Sequence, residues 1–314
     1  MRTNRKDYIG LKDMSAEEIL YIIETADTMK YVLSQKNKKA PHLQGKSIVL
    51  LFYENRSRTK ISYELAGQYL SASVVNMNIL EKNESPGFSD ILEMGKIIDQ
   101  MGADFIVIRH PVSGSARFLA GNVSASVINA GDGINENPSQ SLIELMTIKE
   151  RMGGFKRGLK VAFVGDITHS RYSRSNIWGL LKLGAQVAVA GPPTLIPDEL
   201  KSFGVAVYSD PYKAVEGADV IMAARLLPED KYSSDNVLPS YNEYKNLFKI
   251  DRRMLSYAKD SVFVMHPGPI NRGIEIDSDI IESPQCLVND QISNGVALRM
   301  AMLYILSMKG GFMI

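Results

Sequence analysis

Along the chain, segments whose apolar residues recur every three or four positions alternate with short runs in which apolar residues are continuous. Ile19, Leu20, Ile22, Ile23, Ala26 and Met29 follow Ser15, with Glu18 three residues after that serine. This spacing predicts a first helix opened by a capping box. The unbroken run from Ser47 to Tyr53 predicts a strand covered on both faces, as in a parallel sheet. Next come a predicted helix over 59–70, a strand over 73–77, a polar loop over 81–89 and a helix near 90–101. Strands over 105–109 and 127–130 and a helix over 138–151 complete the first alternation.

The glycine-rich stretch at 153–158 breaks the pattern and is taken as the boundary. A second alternation opens with a strand over 160–166, followed by a helix and strands over 186–190 and 205–209. A helix near 211–216, strands over 219–224 and 261–265 and an apolar helix over about 295–308 follow. The expected fold is α/β: two doubly wound parallel-sheet domains joined by helices, with boundaries at 1–150 and 151–290. The C-terminal segment 291–308 is expected to pack back on the first domain. No solenoid-length repeat interrupts this plan.

Composition narrows the classes. With 314 residues, 45% hydrophobic and 23% charged, the chain is globular, and two domains suit its length. Thirty-six Lys and Arg against 35 Asp and Glu leave a charge of +1, so no global field gathers nucleic acid or a membrane surface. Anionic ligands must be met locally. No apolar run reaches the roughly 18 residues of a membrane span, and the first residues lack the apolar core of a signal peptide. The lone Cys286 forms no intrachain disulfide and suits a reducing, cytoplasmic setting. The four histidines have no zinc-type spacing, so no metal is expected. One glycine in Val164–Arg171, where a dinucleotide fold carries three, counts against NAD; no cofactor is expected.

Candidate chemistry gathers at predicted strand ends. In Glu54–Lys60, two hydroxyls and three cations crowd a strand-to-helix turn whose free N–H groups and dipole suit a phosphate. The same residues also suit a plain capped helix start. Arg109 follows a strand at its carboxyl end, where open α/β sheets place ligands, and its guanidinium can grip a phosphate by two bonds. Next to it, His110 suits a packed or solvated turn. Past the glycines of Asn129–Gly133, the segment Asn137-Pro138-Ser139-Gln140 opens a helix. Its amides suit a small carbonyl and NH2 group, while an N-cap Asn with Pro at N1 accounts for the first two residues without a ligand. Arg171, Arg174 and Arg225 suit carboxylates or an ordinary charged surface. In Met265–Pro269, two prolines stiffen a turn whose carbonyls are then held in place; the sequence leaves a cis X-Pro bond there open.

Taken in order, ENRSRTK, RHP, NAGDG with NPSQ, GDITHSR, MHPGPINRGIEI and QISNGVALRMAML resemble the aspartate/ornithine carbamoyltransferase family, in its aspartate branch, over nearly the whole chain. The resemblance implies a carbamoyl-phosphate domain followed by an amino-acid domain, and a transferase that carbamoylates aspartate for pyrimidine biosynthesis. It implies a homotrimer with shared active sites, and leaves room for a regulatory chain. The family's phosphate loop falls on Arg56, Ser57, Arg58, Thr59 and Lys60, and its carbamoyl-phosphate arginine on Arg109. Its H-P-T-Q motif falls on Asn137, Pro138, Ser139 and Gln140. Arginines for the amino acid fall on Arg171 and Arg225, and the turn holding the carbamoyl amide on Pro267, Gly268 and Pro269.

Four positions depart from the family pattern. Arg56 stands for a serine, Asn137 for a histidine and Leu227 for the glutamine near the aspartate side chain. The lysine loop supplied by a neighbouring subunit is shortened, with Lys82 or Glu84 at the lysine position and Lys82 the preferred alignment. Arg58, Thr59, Arg109, Asn137 and Lys82 are the expected catalytic set. These departures keep two other functions open: transfer to a different amine, or a silent binding or regulatory subunit.

Overall fold

A computed structural model describes residues 5–54, 57–78, 87–226 and 240–308. Helix α1 (Ala16–Ser34) opens with the capping box expected at Ser15 and Glu18. Strand β1 (Ser47–Phe52), helix α2 (Ser57–Tyr69), strand β2 (Ser73–Asn78) and helix α3 (Phe88–Gln100) follow. Then come β3 (Phe105–His110), α4 (Ser115–Ala120), β4 (Ser126–Asp132) and α5 (Pro138–Met152). These first four strands form one parallel sheet in the order β2-β1-β3-β4. All of β3 and five of the six residues of β1 are buried, as continuous apolar runs require when helices cover both faces.

The register between β3 and β4 shifts after Ile108, which faces Asn129, so that His110 faces Asp132. The extra residue is a bulge at Ala130-Gly131, and Gly131 takes φ +125° there. Beyond β4 the N-terminal segment adds a bridge, with Tyr8 pairing to Ile128.

The second sheet is built from β5 (Lys160–Gly165), α6 (Arg171–Lys182), β6 (Gln186–Ala190), β7 (Ala206–Tyr208), α7 (Pro211–Val215), β8 (Val220–Ala224), α8 (Tyr241–Phe248), α9 (Arg252–Leu255), β9 (Phe263–Met265), α10 (Ser278–Ile281) and α11 (Val288–Ser307). Its five strands are parallel in the order β7-β6-β5-β8-β9. Gly165 takes φ +126°, and a Cβ there would lie 2.7 Å from both the Ala224 carbonyl and the Tyr244 hydroxyl, so β5 leaves the sheet pressed against β8.

Two compact units result: residues 1–143 with 292–314, and residues 144–291. The chain passes from one to the other inside α5 and α11, whereas the glycine-rich stretch had marked the boundary. Flexible composition identified a turn, but a continuous helix carries the crossing. In the first unit, Lys30 donates to Asn294 Oδ1 at 2.7 Å, and the Arg299 guanidinium lies 4.9 Å from the centre of the Tyr63 ring. Helix α11 starts at Val288, seven residues before the expected Gly295, because its polar first turn hides the apolar period. Helix α2 likewise starts at Ser57, two residues before the expected Thr59, so Arg58 too lies in its first turn and not in the preceding loop. Among the described residues no helix is long and apolar enough to cross a membrane.

Candidate functional site

In each sheet the strand order reverses once at the first strand: between β1 and β3 in the first, and between β5 and β8 in the second. Such switch points leave a crevice at the carboxyl ends of the strands, where open α/β sheets bind ligands. The candidate residues cluster around these two places.

At the first, Arg109 is the penultimate residue of β3, with only 1% of its surface exposed. Its Nε donates to Glu54 Oε2 at 2.8 Å and its Nη1 to the Ala130 carbonyl at 2.9 Å. One guanidinium thus ties the ends of β1, β3 and β4, and the bulge presents the carbonyl that it needs. Arg58 is exposed and Thr59 and Lys60 are partly exposed in the first turn of α2, which contains no acidic residue. The positive helix end is therefore available to an anion.

His110 is fully buried. Its Nδ1 accepts from the Val112 N–H at 3.0 Å, and its Nε2 has no hydrogen-bond partner among the described residues. The ring meets Tyr53 edge-on with centroids 4.5 Å apart. Burial lowers its pKa to about 4, against the opposing pull of Glu54 and Asp132. The imidazole is thus neutral at physiological pH.

Asp132, 1% exposed, organises the next loop by accepting from Gly114 N–H and Asn129 Nδ2 at 2.8 Å, Asn135 Nδ2 at 3.0 Å and Glu136 N–H at 3.1 Å. Asn137 then opens α5 with its Oδ1 accepting from Gln140 N–H at 3.3 Å and Ser139 Oγ at 3.2 Å. The helix-cap reading of Asn137 is realised, and the cap fixes the plane of its amide. Pro138 is the first residue of the helix, and Ser139 is buried beside the partly exposed Gln140.

At the second switch point, Arg171 is the first residue of α6, 9% exposed, after the N-cap Ser170. Asp166, fully buried at the end of β5, accepts from His169 N–H at 3.0 Å and faces His169 Nδ1 at 2.9 Å. That hydrogen bond raises the His169 pKa against the opposing effect of burial. Arg225 follows β8, and its Nε is buried without a hydrogen-bond partner among the described residues. Arg174 is partly exposed one turn further along α6.

The Pro267–Gly268 turn follows β9, with Gly268 at φ +66° and the Gly268–Pro269 bond cis. Pro267 and Gly268 therefore belong to the second unit, while Arg58, Thr59, Arg109, Asn137 and Gln140 belong to the first. Arg56, Lys82, Glu84 and Leu227 lie outside the described residues, and Ser57 is described only as the start of α2.

Three acidic residues escaped the expected set: Glu54, Asp132 and Glu275. Glu54 had a legible signal as the one acid in a turn of three cations. The other two are single carboxylates that gather donors both from their own turns and from backbone far along the chain, at Gly114 and Leu226, and the distant donors show in no short motif.

Two doubly wound units with arginines at both switch points define a protein built to hold small anionic ligands. Residues 6–150 match the family model for the aspartate/ornithine carbamoyltransferase carbamoyl-P binding domain, and residues 157–306 match that for the Asp/Orn binding domain. The aspartate carbamoyltransferase catalytic subunit of Acetivibrio thermocellus is 53% identical over 302 residues, 96% of either chain. That of Ruminiclostridium cellulolyticum is 49% identical over 310 residues, 99% of this chain and 98% of the other. The chain belongs to the aspartate/ornithine carbamoyltransferase family. Among solved structures, the catalytic subunit of M. jannaschii aspartate transcarbamoylase superposes with a TM-score of 0.80 at 30% identity, covering 98% of this chain and 100% of that one. Ornithine carbamoyltransferase from Pyrococcus furiosus gives 0.84 at 28% identity, with 98% of each covered.

Proposed function

We propose that this carbamoyltransferase moves the carbamoyl group of carbamoyl phosphate to the amino group of aspartate, forming N-carbamoyl-aspartate and phosphate as a step of pyrimidine biosynthesis. The observation that carries the reading is the pairing of two cationic switch points, one suited to a phosphate and the other, with Arg171 and Arg225, to a dicarboxylate. The relatives' names favour aspartate over the other acceptors that Leu227 had kept open.

The amine attacks the carbonyl carbon, the C–O bond to phosphate breaks, and the amine's proton leaves with the phosphate. No side-chain nucleophile is needed. The protein orients two reactants and stabilises oxygens that gain negative charge. In this reading Arg58, Thr59 and the first turn of α2 hold the phosphate, and Arg56 and Ser57 are assigned to it from the sequence. Arg109 contacts the oxygens between phosphate and carbonyl. Asn137, which stands where the family pattern has an imidazole, is assigned to the carbonyl oxygen as a neutral amide. Gln140, Pro267 and Gly268 meet the carbamoyl NH2, and Arg171 and Arg225 take the two carboxylates of aspartate.

The reading includes a homotrimer in which Lys82 serves the site of a neighbouring copy, with room for a regulatory chain, and a cytoplasmic location that suits the lone Cys286. An assay with carbamoyl phosphate and a panel of amino acids tests it. Carbamoyl-aspartate as the main product is expected. Transfer to another amine alone refutes the acceptor, and phosphate binding without any transfer refutes catalysis.

A further inference from the structure

Glu275 is 1% exposed, and its two oxygens engage four donors. Oε1 accepts from the Leu226 N–H at 2.8 Å and from Asn271 Nδ2 at 2.9 Å. Oε2 accepts from the Asn271 N–H at 2.8 Å and lies 2.9 Å from His266 Nε2. His266 is buried too, and its Nδ1 accepts from the Gly268 N–H at 2.7 Å. With Nδ1 an acceptor, the ring proton sits on Nε2 and is donated to Glu275. One buried carboxylate thereby reaches Gly268 through an imidazole, and by a direct bond reaches the backbone next to Arg225.

We propose that Glu275 is a positioning residue for carbamoyl transfer. Through His266 it fixes the Pro267–Gly268 turn that meets the carbamoyl group, and through Leu226 it fixes the loop that carries Arg225 to the amino acid. A single charge thus aligns the binding elements for both substrates without touching either. The inference rests on the function proposed above.

In Glu275→Gln the volume stays, but an NH2 group replaces one acceptor. Turned toward Leu226, it leaves that N–H opposed by a donor. Turned toward His266, it meets the Nε2 proton, and moving that proton to Nδ1 opposes the Gly268 N–H. Neither orientation satisfies both loops. The variant is expected to raise KM for both carbamoyl phosphate and aspartate by about tenfold or more, the usual scale of a small misplacement of binding groups. Inorganic phosphate, held by first-unit residues, is expected to bind within about twofold of wild type by calorimetry. A purely structural role would instead reduce the active fraction, lowering kcat with both KM values unchanged, and that result overturns the proposal.

His266→Gln separates the branches and decides the matter if Glu275→Gln does not fold. It is expected to raise KM for carbamoyl phosphate while leaving that for aspartate within about twofold. A wild-type carbamoyl phosphate KM in this variant overturns the proposal. Absence of carbamoyl-aspartate formation by the wild-type protein overturns the proposed function and this inference with it. Normal wild-type turnover with unchanged constants in both variants overturns the inference alone.

Discussion

Arg58 and Arg109 are assigned to the same ligand, yet replacing each by Ala should have different consequences. Arg58 is exposed and makes no ion pair or hydrogen bond among the described residues, so the folded protein gains little from it. Arg58→Ala removes one charge-assisted contact to phosphate, worth roughly 1.5–3 kcal/mol, which corresponds to about 10- to 150-fold weaker binding. Stability should stay within about 0.5 kcal/mol, the usual range for an exposed helical position. Arg109, by contrast, is buried on Glu54 and the Ala130 carbonyl. Its removal takes away the bonds to Glu54 and to the Ala130 carbonyl and opens a cavity at a buried position, and should cost about 3 kcal/mol or more of folding free energy in addition to the ligand contact. Calorimetry with inorganic phosphate and with carbamoyl phosphate at low and high salt, alongside urea unfolding, reads both quantities. Arg58→Ala with wild-type affinity, or with a stability loss matching that of Arg109→Ala, refutes the division between a cation that serves the ligand alone and one that also holds the fold.

Two more expectations follow from the geometry. His110 titrates at about 4 in the folded chain against 6.5 ordinarily, so the unfolded chain takes up the proton first as pH falls. Stability should therefore decline from pH 6.5 toward 4, by about 3 kcal/mol when complete, and the decline should shrink in His110→Phe; identical urea midpoints against pH for both proteins would exclude this. Gly165→Ala places a Cβ against the Ala224 carbonyl and the Tyr244 hydroxyl at a φ of +126°, and should cost about 2–4 kcal/mol by urea unfolding. An unchanged midpoint would mean that β5 and β8 can part at their ends.

The strands that carry the site were legible because burial on both faces leaves an unbroken apolar run: β1, β3 and β5 lie where such runs are. The short helices α4, α8, α9 and α10 were not, since four to eight residues show too little period to separate from a turn. Arg109 was visible as a cation at a strand end, but its burial was not, because burial depends on Glu54 and on a bulge in another strand. Glu275 shows the same limit more sharply. It shares a motif with its partner His266, yet Leu226 is brought to it only when β8 and β9 become neighbours.

The first unit borrows its last helix from beyond Gln291, with Leu298, Met302 and Leu303 fully buried. During synthesis the ribosome therefore finishes the entire second unit before the first can complete its core. The order of maturation runs opposite to the order of encoding, and the earlier-made half must wait, partly open, for a segment translated about 150 residues later, some tens of seconds or less at ordinary elongation rates. A variant that stalls or misfolds in the second unit would thus appear in the cell as instability of the first, where protease cleavage sites should open earliest.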